Sequence, residues 1–194
     1  MSHRGGTGAR VANGRGAGTL PELGTILTTH IAALRRYATA LLGNTVEADD
    51  LVQDCLTQAL SRAHLWDRVR DHRAYLFTIL HNVHVDRIAR QRRQGKHLPV
   101  EDFAGQLYCL PTQHVRLAVR DFERGLRSMP EAYRTVVLLV GLEGMSYRQT
   151  ADVLGIPIGT VMSRLSRGRE MLRQSMNGAR NGSALSVEQR KVEA

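Results

Sequence analysis

The chain has 194 residues, with 27 Lys and Arg against 18 Asp and Glu, a formal charge of +9, and 42% hydrophobic but only 5% aromatic residues. That length holds one ordinary domain or two small ones, and the apolar share excludes disorder throughout while requiring cores of Leu, Val, Ile and Ala. The best apolar run, Val136 to Val140, is broken by Gly141 and falls far short of the roughly 18 residues needed to cross a bilayer, which predicts a soluble protein without membrane insertion. Arg4, Arg10 and Arg15 come with no apolar stretch behind them, against a signal peptide. Cys55 and Cys109 match no zinc or disulfide spacing, which points to a reducing cytoplasm. The positive surplus leaves nucleic acid, an anionic surface or a merely solvated exterior as its meaning.

Residues 1 to 20 are rich in Gly and poor in large apolar side chains, the composition of a disordered tail. From Pro21 to Leu42, apolar residues recur at helical spacing (Leu23, Ile26, Leu27, Ile31, Leu34, Ala38, Leu41) until Gly43, which predicts an amphipathic helix. Asn44 and Glu47 fit a capping box for a second helix running to about Trp66. A polar stretch, Asp67 to Asp71, precedes a third helix from His72 to the basic cluster Arg90, Arg92 and Arg93, stopped by Gly95. Residues 95 to 113 carry Pro99, Gly105 and Pro111 without a sustained period and read as a flexible linker. Four helical segments follow at His114 to Arg127, Pro130 to Leu142, Ser146 to Leu154 and Pro157 to Met176, and fraying is expected from Asn177. No strand alternation is convincing. The expected fold is all-α: two small helical domains, 21–94 and 114–176, between disordered tails at 1–20 and 177–194.

The sharpest pattern is SYRQTADVLGIPIGTVMSRLSRGREML. Ser146 and Gln149 make a capping box, Gly155 supplies a turn, and Pro157 suits the first turn of the next helix. This is helix-turn-helix grammar. Val161, Leu165, Gly168 and Leu172 share one seam, and Thr160, Ser163, Arg164 and Arg167 gather opposite. Such a polar face suits the major groove, because Arg forks onto guanine and hydroxyls reach phosphates or base edges. A solvated basic surface helix is the blander alternative, disfavoured because cap, turn, proline and sidedness coincide.

In the second helix, Leu51, Val52, Cys55, Leu56, Ala59 and Leu60 form a broad apolar face, with Asp50, Gln53, Asp54 and Thr57 opposite. Like charges four apart repel slightly, and acids repel phosphate, so two explanations stand side by side: a basic protein partner, or dipole compensation at the helix start, which covers Glu47, Asp49 and Asp50 but not Asp54. From Trp66 to Arg93, aromatic and basic residues interleave, as in surfaces that stack single-stranded bases. Trp66 and Phe77 also suit a core, and Tyr75 is the better candidate for exposure. His64, His72, His81 and His84 lack a partner Glu or Cys that would complete a metal set. No phosphate loop or catalytic triad is legible, so no cofactor, metal site or enzymatic activity is expected.

The segments EADDLVQDCLTQAL, AYLFTILHNVHVDRIARQRR and LEGMSYRQTADVLGIPIGTVMSRLSRGREML, in that order across the linker, resemble the sigma-70 family, in particular its short extracytoplasmic-function (ECF) group. The resemblance covers residues 21 to 175. It implies a region 2-like domain and a region 4-like domain, promoter recognition, strand melting and transcription initiation, often in a stress response. It further implies that Asp49, Asp50, Gln53 and Asp54 face the β′ clamp helices of core RNA polymerase, with the β subunit a further contact. Tyr75, His81, Asn82 and Asp86 would meet the melted minus-ten strand, with Arg87 and Arg90 on its backbone. Thr160, Ser163, Arg164 and Arg167 would read the minus-thirty-five element, with Arg148 on a phosphate. Promoter DNA, core polymerase and an anti-sigma factor are the expected partners, and the expected location is cytoplasmic, on the nucleoid. The competing reading is a helix-turn-helix regulator that binds an operator without engaging polymerase; it leaves the acidic face and the aromatic-basic helix without a role.

Overall fold

The computed structural model describes the backbone of residues 20–94 and 113–192, with side chains over 23–94 and 119–177. The expected N-terminal tail and linker lie outside the described residues, except Leu20 and Gln113, the first residues of two helices. The described chain is all-α, with no strand among the described residues.

Helix α1 (Leu20–Leu42) buries Leu23, Leu27, Leu34, Tyr37, Ala38 and Leu41 along one stripe. It stops where Gly43 takes a φ of 80°, a conformation that costs an L side chain but not glycine. Asn44 then caps α2 (Thr45–Ser61), its Oδ1 accepting the N–H groups of Val46 at 2.9 Å and Glu47 at 3.3 Å. That is the first half of the predicted capping box.

The second helix ends at Ser61, not at Trp66. Arg62 leaves helical geometry, and a 3₁₀ turn over Ala63–Arg68 folds Trp66 back so that its indole N–H donates to the carbonyl of Ala59 at 3.1 Å. A buried indole needs that acceptor, and the Ala59 carbonyl serves it while also accepting the N–H of Arg62 at 3.2 Å. Leu60, at the edge of the predicted apolar face, is 48% exposed. Cys55 is buried, its thiol donating to the carbonyl of Leu76, and burial pushes its pKa up to about 12. A thiol so far from ionisation is inert.

Asp71 caps α3 (His72–Arg93) by accepting the N–H of Ala74 at 2.9 Å. Leu76, Phe77, Ile79 and Leu80 of α3 complete a three-helix core with α1 and α2. At its centre Tyr37 and Phe77 meet edge to face, with ring centroids 5.4 Å apart.

The second half comprises α4 (Gln113–Ser128), α5 (Glu131–Val137), α6 (Tyr147–Leu154) and α7 (Ile158–Val192). Between α5 and α6 the chain widens into a π-helical turn over Leu138–Leu142, with the N–H of Glu143 reaching Leu138. The apolar run that reads as one helix to Leu142 therefore changes pitch beside Gly141, a residue of low helix propensity. The capping box on α6 is complete: Ser146 Oγ accepts from Gln149 N–H at 3.1 Å, and Gln149 Oε1 accepts from Ser146 N–H at 3.0 Å. Gly155 makes the left-handed turn with φ of 62°. Pro157 stands just before α7 instead of within its first turn, and its carbonyl accepts the N–H groups of Thr160 and Val161.

Val161, Leu165, Gly168 and Leu172 form the buried seam of α7. A Cβ on Gly168 would lie 2.5 Å from Val137 Cγ2, so α5 and α7 approach more closely than any larger residue permits. Helix α7 continues to Val192, past Met176 where the apolar pattern ends and past Asn177 from which fraying is expected. The two halves touch: α3 packs on α6, and α1 on the π-helical turn. Among the described residues no helix is long and apolar enough to cross a membrane.

Candidate nucleic-acid interface

Local grammar positions the helix-turn-helix. The capping box fixes the start of α6, the Gly155 turn swings the chain, and the apolar seam pins α7 so that its other side is free. Ser163 and Arg167 are exposed on that side, while Thr160 and Arg164 are half-buried. Ser163 Oγ donates to the carbonyl of Thr160 at 3.1 Å. Arg148 is exposed on α6. The free flank also carries an apolar side chain: Met162 is 49% exposed and shares a groove with Tyr147, Arg169 and Arg173. An exposed thioether beside arginines was legible as an apolar residue off the seam.

On α3 the geometry separates the expected contacts. Tyr75, Asn82, Asp86 and Arg90 follow the spacing i, i+7, i+11, i+15, which at 3.6 residues per turn is one row along the helix. Asn82, Asp86 and Arg90 are exposed, and Tyr75 is half-buried. The Tyr75 ring stands edge-on to Trp66 at 5.7 Å, and Trp66 stacks on His72 at 5.2 Å. Trp66 and Phe77 belong to the core.

His81 and Arg87 leave that row. His81 turns toward the second half of the molecule, where burial, then the neighbouring His84, lowers its pKa. It lines a cavity of about 290 Å³ together with Glu131, Thr135 and Arg164. His84 is buried and its Nε2 sits 3.0 Å from Glu131 Oε1, a contact that holds the Glu131 carboxyl below its ordinary range. These imidazoles are engaged in packing and pairing; among the described residues no group of three or more potential ligands gathers around a metal position.

Arg87 lies across α2. Its Nε and Nη2 donate to Asp54 Oδ2 at 3.1 and 2.6 Å, and Nη2 also donates to the carbonyl of Asp50 at 2.9 Å. Arg35 grips Asp49 by donating Nε to Oδ1 at 2.7 Å and Nη2 to Oδ2 at 2.8 Å. Of the four polar residues expected to face a partner, Asp49 and Asp54 are thus paired within the chain. Asp50 and Gln53 project into solvent between them. Arg35 was not singled out in the sequence, and its pairing with a residue fourteen positions away had no local signal.

The comparisons with known proteins divide the chain in the same two places. Residues 27–81 match the family model described as the Sigma2 domain of PhyR, and residues 120–172 match Sigma-70, region 4. The ECF RNA polymerase sigma factor EcfG of Rhodopseudomonas palustris is 35% identical over 146 residues, covering 73% of this chain and 78% of that protein. The ECF RNA polymerase sigma factor SigL of Mycobacterium tuberculosis is 31% identical over 87% of this chain and 96% of its own length. Among solved structures, the sigma factor RpoE in complex with the anti-sigma factor NepR from Bartonella quintana aligns with a TM-score of 0.68 at 28% identity, covering 81% of this chain and 98% of that one. With both halves matched in order and relatives aligned over most of their length, the chain belongs to the extracytoplasmic-function group of the sigma-70 family of RNA polymerase sigma factors.

Proposed function

We propose that this sigma factor divides its work between residues 21–94 and 114–176, and that it is a transcription initiation factor with no catalytic step of its own. The α2 face with Asp50 and Gln53 at its centre, flanked by Asp49 and Asp54, docks on the basic β′ clamp helices of core polymerase. The α3 row of Tyr75, Asn82, Asp86 and Arg90 meets the opened minus-ten strand, by stacking and edge contacts at one end and phosphate neutralisation at the other. From the flanks of that row, Arg87 reaches the strand's backbone once released from Asp54, and His81 reaches the strand once the two halves part. Thr160, Ser163, Arg164 and Arg167 read the minus-thirty-five element in the major groove, and Arg148 holds a phosphate beside it. The work is done on the nucleoid, in the cytoplasm. The solved complex of RpoE with the anti-sigma factor NepR, and that of CnrH with the cytosolic domain of CnrY, support an anti-sigma partner for this chain too.

The observation that carries this reading is the exposed acidic patch of α2 on a chain of charge +9 that also bears a helix-turn-helix. An operator-binding regulator has no use for it. Asp50→Arg changes that patch without breaking the Arg87–Asp54 pair. It should abolish capture of sigma-free core polymerase while binding to duplex DNA is kept. Unchanged capture by Asp50→Arg would remove the α2 face from the docking surface, and failure of the wild type to bind core at all would favour the operator-binding regulator.

A further inference from the structure

The contact between the two halves is built from charge. Glu143, at the end of the π-helical turn, has a fully enclosed side chain. Arg36 of α1 grips it with Nε at 3.0 Å and Nη2 at 2.8 Å. Arg73 of α3 adds Nη2 at 3.0 Å to the same carboxylate and 2.6 Å to the Glu143 carbonyl. Asp71 Oδ2 accepts from Gln149 Nε2 at 2.8 Å, and His84 meets Glu131. Opposing these bonds, Tyr37 Oη, His81 Nδ1 and Arg134 Nε are buried without a partner among the described residues. Of these, His81 lines the cavity shared by the two halves and would return to water when they part. Strong charge-assisted bonds set against orphaned polar atoms make a contact with two accessible states.

The closed arrangement also conflicts with the reading of a promoter. His81 and Arg164, one from each proposed DNA surface, line the same cavity of about 290 Å³. The minus-ten and minus-thirty-five elements are separated by about 25 base pairs, ~85 Å of duplex at 3.4 Å per pair. One molecule in this form cannot reach both.

We propose that Glu143 is the catch of an intramolecular latch that holds the protein in a closed, initiation-incompetent state, and that Arg36 and Arg73 are its keepers. The inference rests on the functional reading above, because the closed form matters only to a protein that must span two promoter elements. Full engagement of core polymerase, along which those elements lie, draws on the open population, so the closed fraction lowers apparent affinity.

The test uses the full chain, with small-angle X-ray scattering in low salt and titration against sigma-free core polymerase. Arg36→Ala, at a half-exposed position where folding is safe, should raise the radius of gyration and tighten core binding about tenfold, the order expected on losing charge-assisted bonds from the competing state. Glu143→Gln, which keeps size and loses charge, should shift both readouts the same way. Arg173→Ala, which removes an arginine paired with Glu170 within α7, should leave the radius unchanged. An unchanged radius in both latch variants overturns the latch, and a larger radius without tighter core binding overturns its inhibitory role. Absence of core binding by every form, with the radius still responding to Arg36→Ala, would overturn the functional reading while supporting the closure.

Discussion

The three-helix core and the contact between halves hold the molecule together in different ways. Around Tyr37 and Phe77 the N-terminal half buries Leu34, Leu41, Leu51, Leu76, Ile79 and Leu80 almost completely, with few polar atoms among them. Between the halves the principal links are Glu143 with two arginines, Asp71 with Gln149, and His84 with Glu131. Apolar packing is non-directional and cumulative, so a core of this kind has one deep minimum. Polar links whose partners can each be rehydrated have an alternative in water that apolar packing lacks, so such a contact can be made and unmade without disturbing either half. Permanence lies inside each half and reversibility between them.

The contrast can be broken by substitution. Phe77→Ala should have the largest effect: removing a fully buried ring leaves a cavity at the centre of the first half, and a loss of about 3 to 5 kcal/mol in chemical denaturation is expected. Gly168→Ala comes next, because its Cβ would press on Val137 at 2.5 Å and force α5 from α7, for about 1 to 3 kcal/mol. The smallest effect belongs to the contact between halves.

The Asp71 carboxyl is held below its ordinary value, chiefly by the N–H of Ala74 and then by the amide of Gln149. A carboxylate with a depressed folded-state pKa contributes stability that is present above its unfolded pKa and lost as pH falls through the folded one. Asp71→Asn, which still caps α3, should therefore flatten the acid limb of stability below about pH 4 and leave neutral-pH melting nearly unchanged. Thermal melts across that range check it. A neutral-pH loss as large as that of Phe77→Ala would collapse the distinction between core and contact.

Much of this architecture is legible in the residues. The stripe of α1, the seam of α7, the Ser146 and Gln149 cap and the Gly155 turn depend on neighbours three to seven positions away, where period and capping rules operate. The features that were not legible depend on distant partners. Trp66 shortens α2 because its indole needs Ala59, and the π-helical turn after α5 is the part of the second half that packs on α1. Arg87 reads equally well as a phosphate contact or as a brace, and only its 2.6 Å approach to Asp54 distinguishes them in this state. Glu143 is an unremarkable acid at the end of an apolar run until Arg36, 107 positions earlier, is brought against it.

The residues that join Asp71 to Gln149 are also the ones that begin their helices. Asp71 gives Oδ1 to its own cap and Oδ2 to its neighbour; Gln149 uses Oε1 at home and Nε2 abroad. Each side chain therefore has two hands, and separation empties only the outer one. Neither helix start would fray when the halves part, so the cycle of joining and parting can repeat without refolding, with each module arriving at its next surface already shaped.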